Sequence, residues 1–293
     1  MKFSEYQKKA AETDRTGVDP ERASLVSVLG LSGEAGTLAA SLKKFLREGP
    51  NYKFYREHVA EELGDILWYV ATLASKQRLS LDQVAHRNLR KIRSRWSPEA
   101  AGERVFRFLD EGYPKKEQLP RRFKVLFRER RTRTGAKLFL SRNGRGCGDP
   151  LTDNSYFEDG YRFHDVFHLA YAAVLGWSPV TRKLLGCKRR SSPRVDEVED
   201  GGRATVIEEG ISAFVFDYAK AHNFLDGITE IDFDLLKLVK SLTSNLEVRR
   251  ASWRDWELAI LEGYRIFRII NRVRGGYVVA DLFDRKLEFE RFH

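Results

Sequence analysis

Two groups of residues in this chain of 293 have types and spacings that could do chemistry. The first is acidic. Glu34 stands between two glycines in "GLSGEAG", and Glu61, Glu62 and Asp65 follow in "AEELGDILWYVATLA". On a helix Glu62 and Asp65, three apart, share a face. The residues after Asp65, Ile66 to Ala71, carry no charge. A helix apolar all round is a buried one. A carboxylate at its head is costly unless a cation or hydrogen bonds offset it. Hard oxygen ligands from two helices suit Mg²⁺, or Mn²⁺ in its place, with positions left for water and substrate phosphates.

Thr37, Ser41 and Lys44 follow Glu34 at +3, +7 and +10 and extend it into a polar stripe. Ala35, Leu38, Leu42 and Phe45 make an apolar stripe beside it, which predicts that the polar stripe borders the core. In "NLRKIRSRW" Asn88, Lys91 and Arg95 recur on one face and could hold phosphate oxygens. Taken singly, each of these groups also reads as a solvated helix face or as first-turn acids favoured by the helix dipole. Their joint order and spacing point to a metal–phosphate site.

The second group mixes nitrogen and oxygen. "YRFHDVFHLAYAAVLGW" carries His164, Asp165 and His168, and "VIEEGISAFVFDYA" carries Glu208 and Glu209. The His–His pair at i,i+4 and the Asp–His pair at i,i+3 can each chelate. Histidines and carboxylates on facing helices make a transition-metal site. The competing reading is a hydrogen-bonded histidine pair in a core, with a pair of capping acids.

The elements that must position these residues are mainly helical. Residues 1–96 read as helices throughout, with Ser80 as an N-cap. "RRFKVLFRER" and "AKLFLSR" alternate around "RTRTG" and predict a β-hairpin. "NGRGCGDPLTDN" reads as a loop, and helices return from Tyr156. The last stretch, "YVVADLFDRKLEFE", reads as a strand or a short helix. The expected organisation is an N-terminal helical bundle over 1–103, a hairpin and loop connector over 104–150, and a second helical domain over 151–293.

Residues 1–96 resemble the MazG family of all-α nucleoside triphosphate pyrophosphohydrolases. The resemblance rests on "EYQ", "LGLSGEAG", the lysines of "LKKFL" (Lys44 among them), "EELGDILWYVA" and "NLRKIRSR". It implies an antiparallel bundle, usually dimeric, that converts NTP and water to NMP and pyrophosphate with Mg²⁺. It also implies that Glu34, Glu62 and Asp65 are metal ligands and that Asn88, Lys91 and Arg95 contact the nucleotide or its phosphates. Glu34 or Glu61 would orient or deprotonate the attacking water. The departure is Thr37, where the family has a second Glu; the weakened set raises the alternative of a nucleotide sensor without turnover. "EEGISAFVFDYA" loosely echoes "EELGDILWYVATLA", so residues 151–274 could be a diverged second copy forming an internal pseudo-dimer.

The formal charge of +10 favours anionic partners. The basic stretch 115–134, with Phe123 and Phe127 among its arginines, supports a nucleic-acid-binding module as the runner-up. Cys147 and Cys187 fit neither a zinc motif nor a disulfide framework. No signal-peptide pattern and no apolar run near the ~20 residues of a membrane span is read, so the expectation is a soluble cytoplasmic protein without a membrane partner.

Overall fold

The computed structural model describes residues 1–15, 19–96, 108–133 and 135–292, the side chains of residues 20, 91 and 93–96 excepted. The chain falls into two compact units, Met1–Arg93 and Ser94–His293.

The first unit is all helical: α1 (Phe3–Thr13), α2 (Pro20–Glu48), α3 (Tyr55–Lys76) and α4 (Leu81–Trp96). Asp19 starts α2, its side chain accepting from Glu21 N with Pro20 in the first turn. Ser80 Oγ accepts from Gln83 N at 3.4 Å at the start of α4. Gly30 lets α2 and α3 close on each other, since a Cβ there would lie 2.2 Å from the Tyr69 ring. The "EYQ" glutamine is a tether. Gln7 donates to Ser75 Oγ and to Leu79 O, and accepts from Leu81 N, tying α1 to the α3–α4 turn. Trp68 Nε1 donates to Thr13 Oγ1 at 2.8 Å, and Lys76 pairs with Asp14 at 2.7 Å.

This unit buries little. Its core cluster is Ala10, Ala71, Ala74 and Leu81. Leu25, Val28, Leu29, Leu42, Leu63 and Leu89 are exposed. The apolar stripe beside Glu34 is therefore half open, not covered by a core: Ala35 and Leu42 are exposed, and Leu38 and Phe45 only partly buried. One expectation needs correcting. A window within Glu21–Asn51 has mean hydropathy 1.4 and is long and apolar enough to cross a membrane by length and composition, and only 6% of it is buried. Small residues (Ala, Gly, Ser) interleaved with Leu and Val disguise this run, and Glu34 interrupts it.

The second unit is built on a five-stranded antiparallel sheet in the order β3-β2-β1-β4-β5. The strands are β1 (Arg122–Thr132), β2 (Gly135–Arg142), β3 (Arg145–Leu151), β4 (Gly275–Asp281) and β5 (Lys286–Glu290). The expected hairpin is β1–β2. The "loop" after it continues as β3, where glycines and Pro150 masked the strand pattern. Residues 122–151 are not a connector beside a helical domain, because β1 pairs with β4 from Arg122–Asp281 to Arg128–Gly275.

The helices of this unit are α5 (Asp165–Leu175), α6 (Pro179–Leu185), α7 (Pro193–Val198), α8 (Gly202–Ala221), α9 (Phe233–Leu242) and α10 (Trp253–Val273). All eleven residues of α5 are buried. It packs on α10, where Phe167 stacks on Tyr264 at 4.5 Å and over Gly263. The inner face of the sheet supplies Phe123, Val125, Phe127, Leu138 and Val278 to the same core. This architecture differs from that of a second four-helix bundle. The echo of α2 and α3 extends only to the facing pair α5 and α8, with two helices between them and a sheet beneath.

Candidate functional site

In the N-terminal unit Glu34 on α2 and Glu62 on α3 meet. The Glu62 carboxyl is raised above its usual range by burial, then by the adjacent Glu34, Asp65 and Glu61. Glu62 Oε2 is a buried oxygen with no hydrogen-bond partner. Two carboxyls can share a proton only while no cation sits with them, so the cluster is under electrostatic load. Glu61 and Asp65 are exposed at its edge.

Thr37 does not join. It is exposed, and its hydroxyl donates back to Gly33 O at 3.3 Å within its own helix. Lys44 lies ten residues after Glu34, about 15 Å along the helix axis at 1.5 Å per residue. Its ammonium sits 4.4 Å from the Tyr52 ring centre. Asn88 is exposed on α4. The side chains of Lys91 and Arg95 lie outside the described residues.

In the C-terminal unit the second group comes together across α5 and α8. His164 Nε2 lies 3.6 Å from Asp165 Oδ1 and 3.7 Å from Glu209 Oε2. His168 Nε2 lies 4.0 Å from Asp165 Oδ1 and 3.3 Å from Glu209 Oε2. One ligand atom from each of His164, His168 and Glu209 falls within 4.8 Å of the others.

The other ring nitrogens are committed. His168 Nδ1 is 2.9 Å from Glu208 Oε1, and His164 Nδ1 is 2.9 Å from Tyr161 O. Both Nδ1 atoms donate to these oxygens, which leaves both Nε2 atoms facing the cluster. His168 Nε2 is buried without a hydrogen-bond partner, with Glu209 Oε2 3.3 Å away.

Glu208, grouped with the other site residues in the sequence reading, has a different place. It is fully buried and accepts from His168 Nδ1, from Ser178 Oγ at 2.6 Å and from Val180 N at 2.8 Å. Its oxygens are occupied, so it orients His168 instead of facing the cluster. Ser178 was not singled out in the sequence. "SP" before α6 signals an N-cap, and Ser178 does accept from Thr181 N, but its bond to Glu208 has no linear signature. Tyr161, also missed, stacks on His164 with ring centres 4.5 Å apart, and burial pushes its hydroxyl up to about 12.

Electrostatics follow this geometry. Burial alone would lower His168, but the adjacent Glu208 and then Glu209 lift it to about 10. Burial wins at His164, which is lowered. Burial raises Glu209, yet His168, His164 and Lys183 outweigh it and lower the carboxyl. A single imidazolium thus balances the acids when no cation is bound.

The basic hairpin is arranged differently from the sequence expectation. Phe123 and Phe127 point into the core, since alternate strand positions face opposite sides. The outward face carries Lys124, Arg128 and Arg130, which lie over Tyr277, Phe292 and Phe139 at 4.5, 4.5 and 5.5 Å. Lys124 also pairs with Glu290, and Arg122 with Glu288.

Comparison with known proteins agrees with the division into units. Residues 24–98 match the MazG nucleotide pyrophosphohydrolase domain and residues 104–293 match the MazG C-terminal domain. The Gene 37 protein of Mycobacterium phage L5 is 45% identical over 69 residues, 23% of this chain, which spans 60% of that relative's length. No solved structure matches. The chain belongs to the MazG family, with a nucleotide pyrophosphohydrolase domain followed by a MazG C-terminal domain.

Proposed function

We propose that the N-terminal unit hydrolyses nucleoside triphosphates, NTP or dNTP, to the monophosphate and pyrophosphate with Mg²⁺, or Mn²⁺, held by Glu34, Glu62 and Asp65. The observation that carries this reading is the unpartnered, buried Glu62 Oε2 beside Glu34. A buried carboxylate oxygen without a donor is matched by a hard cation. When bound, the ion neutralises the carboxylates and the triphosphate oxygens they face. Glu61, exposed one turn before Asp65, orients the attacking water and accepts its proton. Asn88, Lys91 and Arg95 on α4 are assigned to the phosphates, and Lys44 beyond the acids to the substrate's outer edge. Thr37 gives nothing to the cation while it donates to Gly33 O, so the site works with three acids and a spare fourth in Glu61.

The same unit works as a dimer in this reading. Leu25 is 57% exposed, and together with Val28, Val70, Leu73 and Val84 it borders an apolar groove of about 610 Å³. A helical unit with so small a core gains stability by covering that groove with a second copy. The nucleic-acid alternative is less favoured, because the outward rings and several cations of the sheet already satisfy one another.

The test is product analysis with each NTP and dNTP. Pyrophosphate should appear with Mg²⁺ and vanish with EDTA; orthophosphate as first product would refute the reading. Glu62→Gln should cut turnover by about 10²–10⁴-fold, the scale of a lost acid–base group, with helicity unchanged.

A further inference from the structure

We infer that the C-terminal unit holds a second, chemically distinct metal centre, a divalent transition metal bound by His164 Nε2, His168 Nε2 and the Glu209 carboxylate, with Asp165 at its edge. This centre is separate from the nucleotide chemistry of the first unit and does not depend on it.

Three observations support it. The first is His168 Nε2, on a residue 1% exposed, buried beside the cluster with no hydrogen-bond partner. A histidine built only for packing would have both nitrogens satisfied. The second is the arrangement behind it. Glu208 takes the Nδ1 proton, and is itself fixed by Ser178 and Val180. A carboxylate behind a histidine fixes the tautomer and ring orientation that present Nε2 to a metal. His164 is fixed in the same sense by the Tyr161 carbonyl and by the Tyr161 ring. The third is convergence, since two helices deliver the three ligand atoms to within 4.8 Å of one another.

The donor set selects the ion. Two imidazoles and a carboxylate suit Zn²⁺, Co²⁺, Fe²⁺ or Mn²⁺, whereas Mg²⁺ prefers oxygen throughout. Three ligands with the Glu209 side half exposed leave a coordination position open toward solvent, the pattern of a reactive centre and not of a closed structural one.

The experiment uses the full-length, untagged chain carrying Glu62→Gln, so that the acidic cluster of the first unit does not compete. Chelator-stripped protein is titrated with Zn²⁺ by calorimetry and with Co²⁺ by visible absorption. One Zn²⁺ should bind per chain, far more tightly than Mg²⁺. Co²⁺ should give the intense visible bands of a low-coordinate nitrogen-containing site, not the faint ones of an all-oxygen octahedral site. Adding Glu209→Gln, at a half-exposed position, should remove tight binding while the circular dichroism of the metal-free protein stays that of a folded chain. Glu208→Gln should weaken binding by about 10–100-fold through His168. No Zn²⁺ binding above the Mg²⁺ level would overturn the inference. So would unchanged binding in both Glu209→Gln and His164→Gln.

Discussion

The two units of this chain solve the problem of stability in opposite ways. In the C-terminal unit Trp177, Trp256, Tyr171, Tyr264 and Phe267 are fully buried, and charge is buried with them in closed networks. Asp110 takes Arg121, Arg182 and Leu119 N; Arg162 takes Glu129 and Asp153; Arg189 takes Asp200 and Glu247. In the N-terminal unit the buried cluster is three alanines and a leucine, and large apolar side chains face outward. A unit with a finished core can hold a histidine in one tautomer, as α5 and α8 hold His168. A unit with an open core can supply flexible hard oxygens, and it leaves part of its stability to a partner surface.

The sharpest break of this contrast is in the C-terminal core. Asp110→Ala takes from the fully buried Arg182 its closest carboxylate and leaves it only the longer contact to Asp200 at 3.7 Å. Breaking a buried pair on one side costs about 3–5 kcal/mol, so the urea midpoint of the C-terminal transition should drop sharply while the N-terminal transition is unmoved. The same networks set an acid limit. Burial raises the carboxyls of Asp110, Asp153 and Asp255, but arginine, backbone and serine donors outweigh it and lower all three. An acid depressed in the folded state adds stability above its unfolded value, about 3.9, and loses it as pH falls through the folded value. Acid titration followed by near-UV circular dichroism should therefore show this unit intact at pH 5 and failing below about 4.

Leu25→Asp, in the wall of the apolar groove, probes the other side of the contrast. Covering a leucine contributes about 1.5–3 kcal/mol, so the variant should sediment as a monomer and its first melting transition should fall and lose its dependence on protein concentration. A wild-type chain that is monomeric at all concentrations would mean that the open core of α2 is covered by something other than a second copy.

The smallest effect is at Thr37. Thr37→Glu adds one charge near an exposed edge, where a pair is worth about 1 kcal/mol or less. The Mg²⁺ concentration for half-maximal pyrophosphate release should fall by roughly fivefold at most by the same scale. No change at all would show that Glu61 already completes the shell.

Much of this was legible in the chain itself. Helix periods and capping residues located α1 to α5 and α8 to α10, and β-alternation located the β1–β2 hairpin. Spacing alone put Glu62 with Asp65 and His164 with His168, because a helix determines which residues share a face. The tertiary structure decided the rest. It joined the first hairpin to the last strands, which no local pattern encodes, since sheet pairing links residues about as far apart as Arg122 and Asp281. It turned Phe123 and Phe127 inward, a choice made by the side of the sheet that the core occupies. It also separated two adjacent glutamates, sending Glu208 to hold a histidine from behind and Glu209 to face its other nitrogen. Neighbours on a helix point about 100° apart, and only the packing of α8 against α5 determines which of those directions meets the histidines.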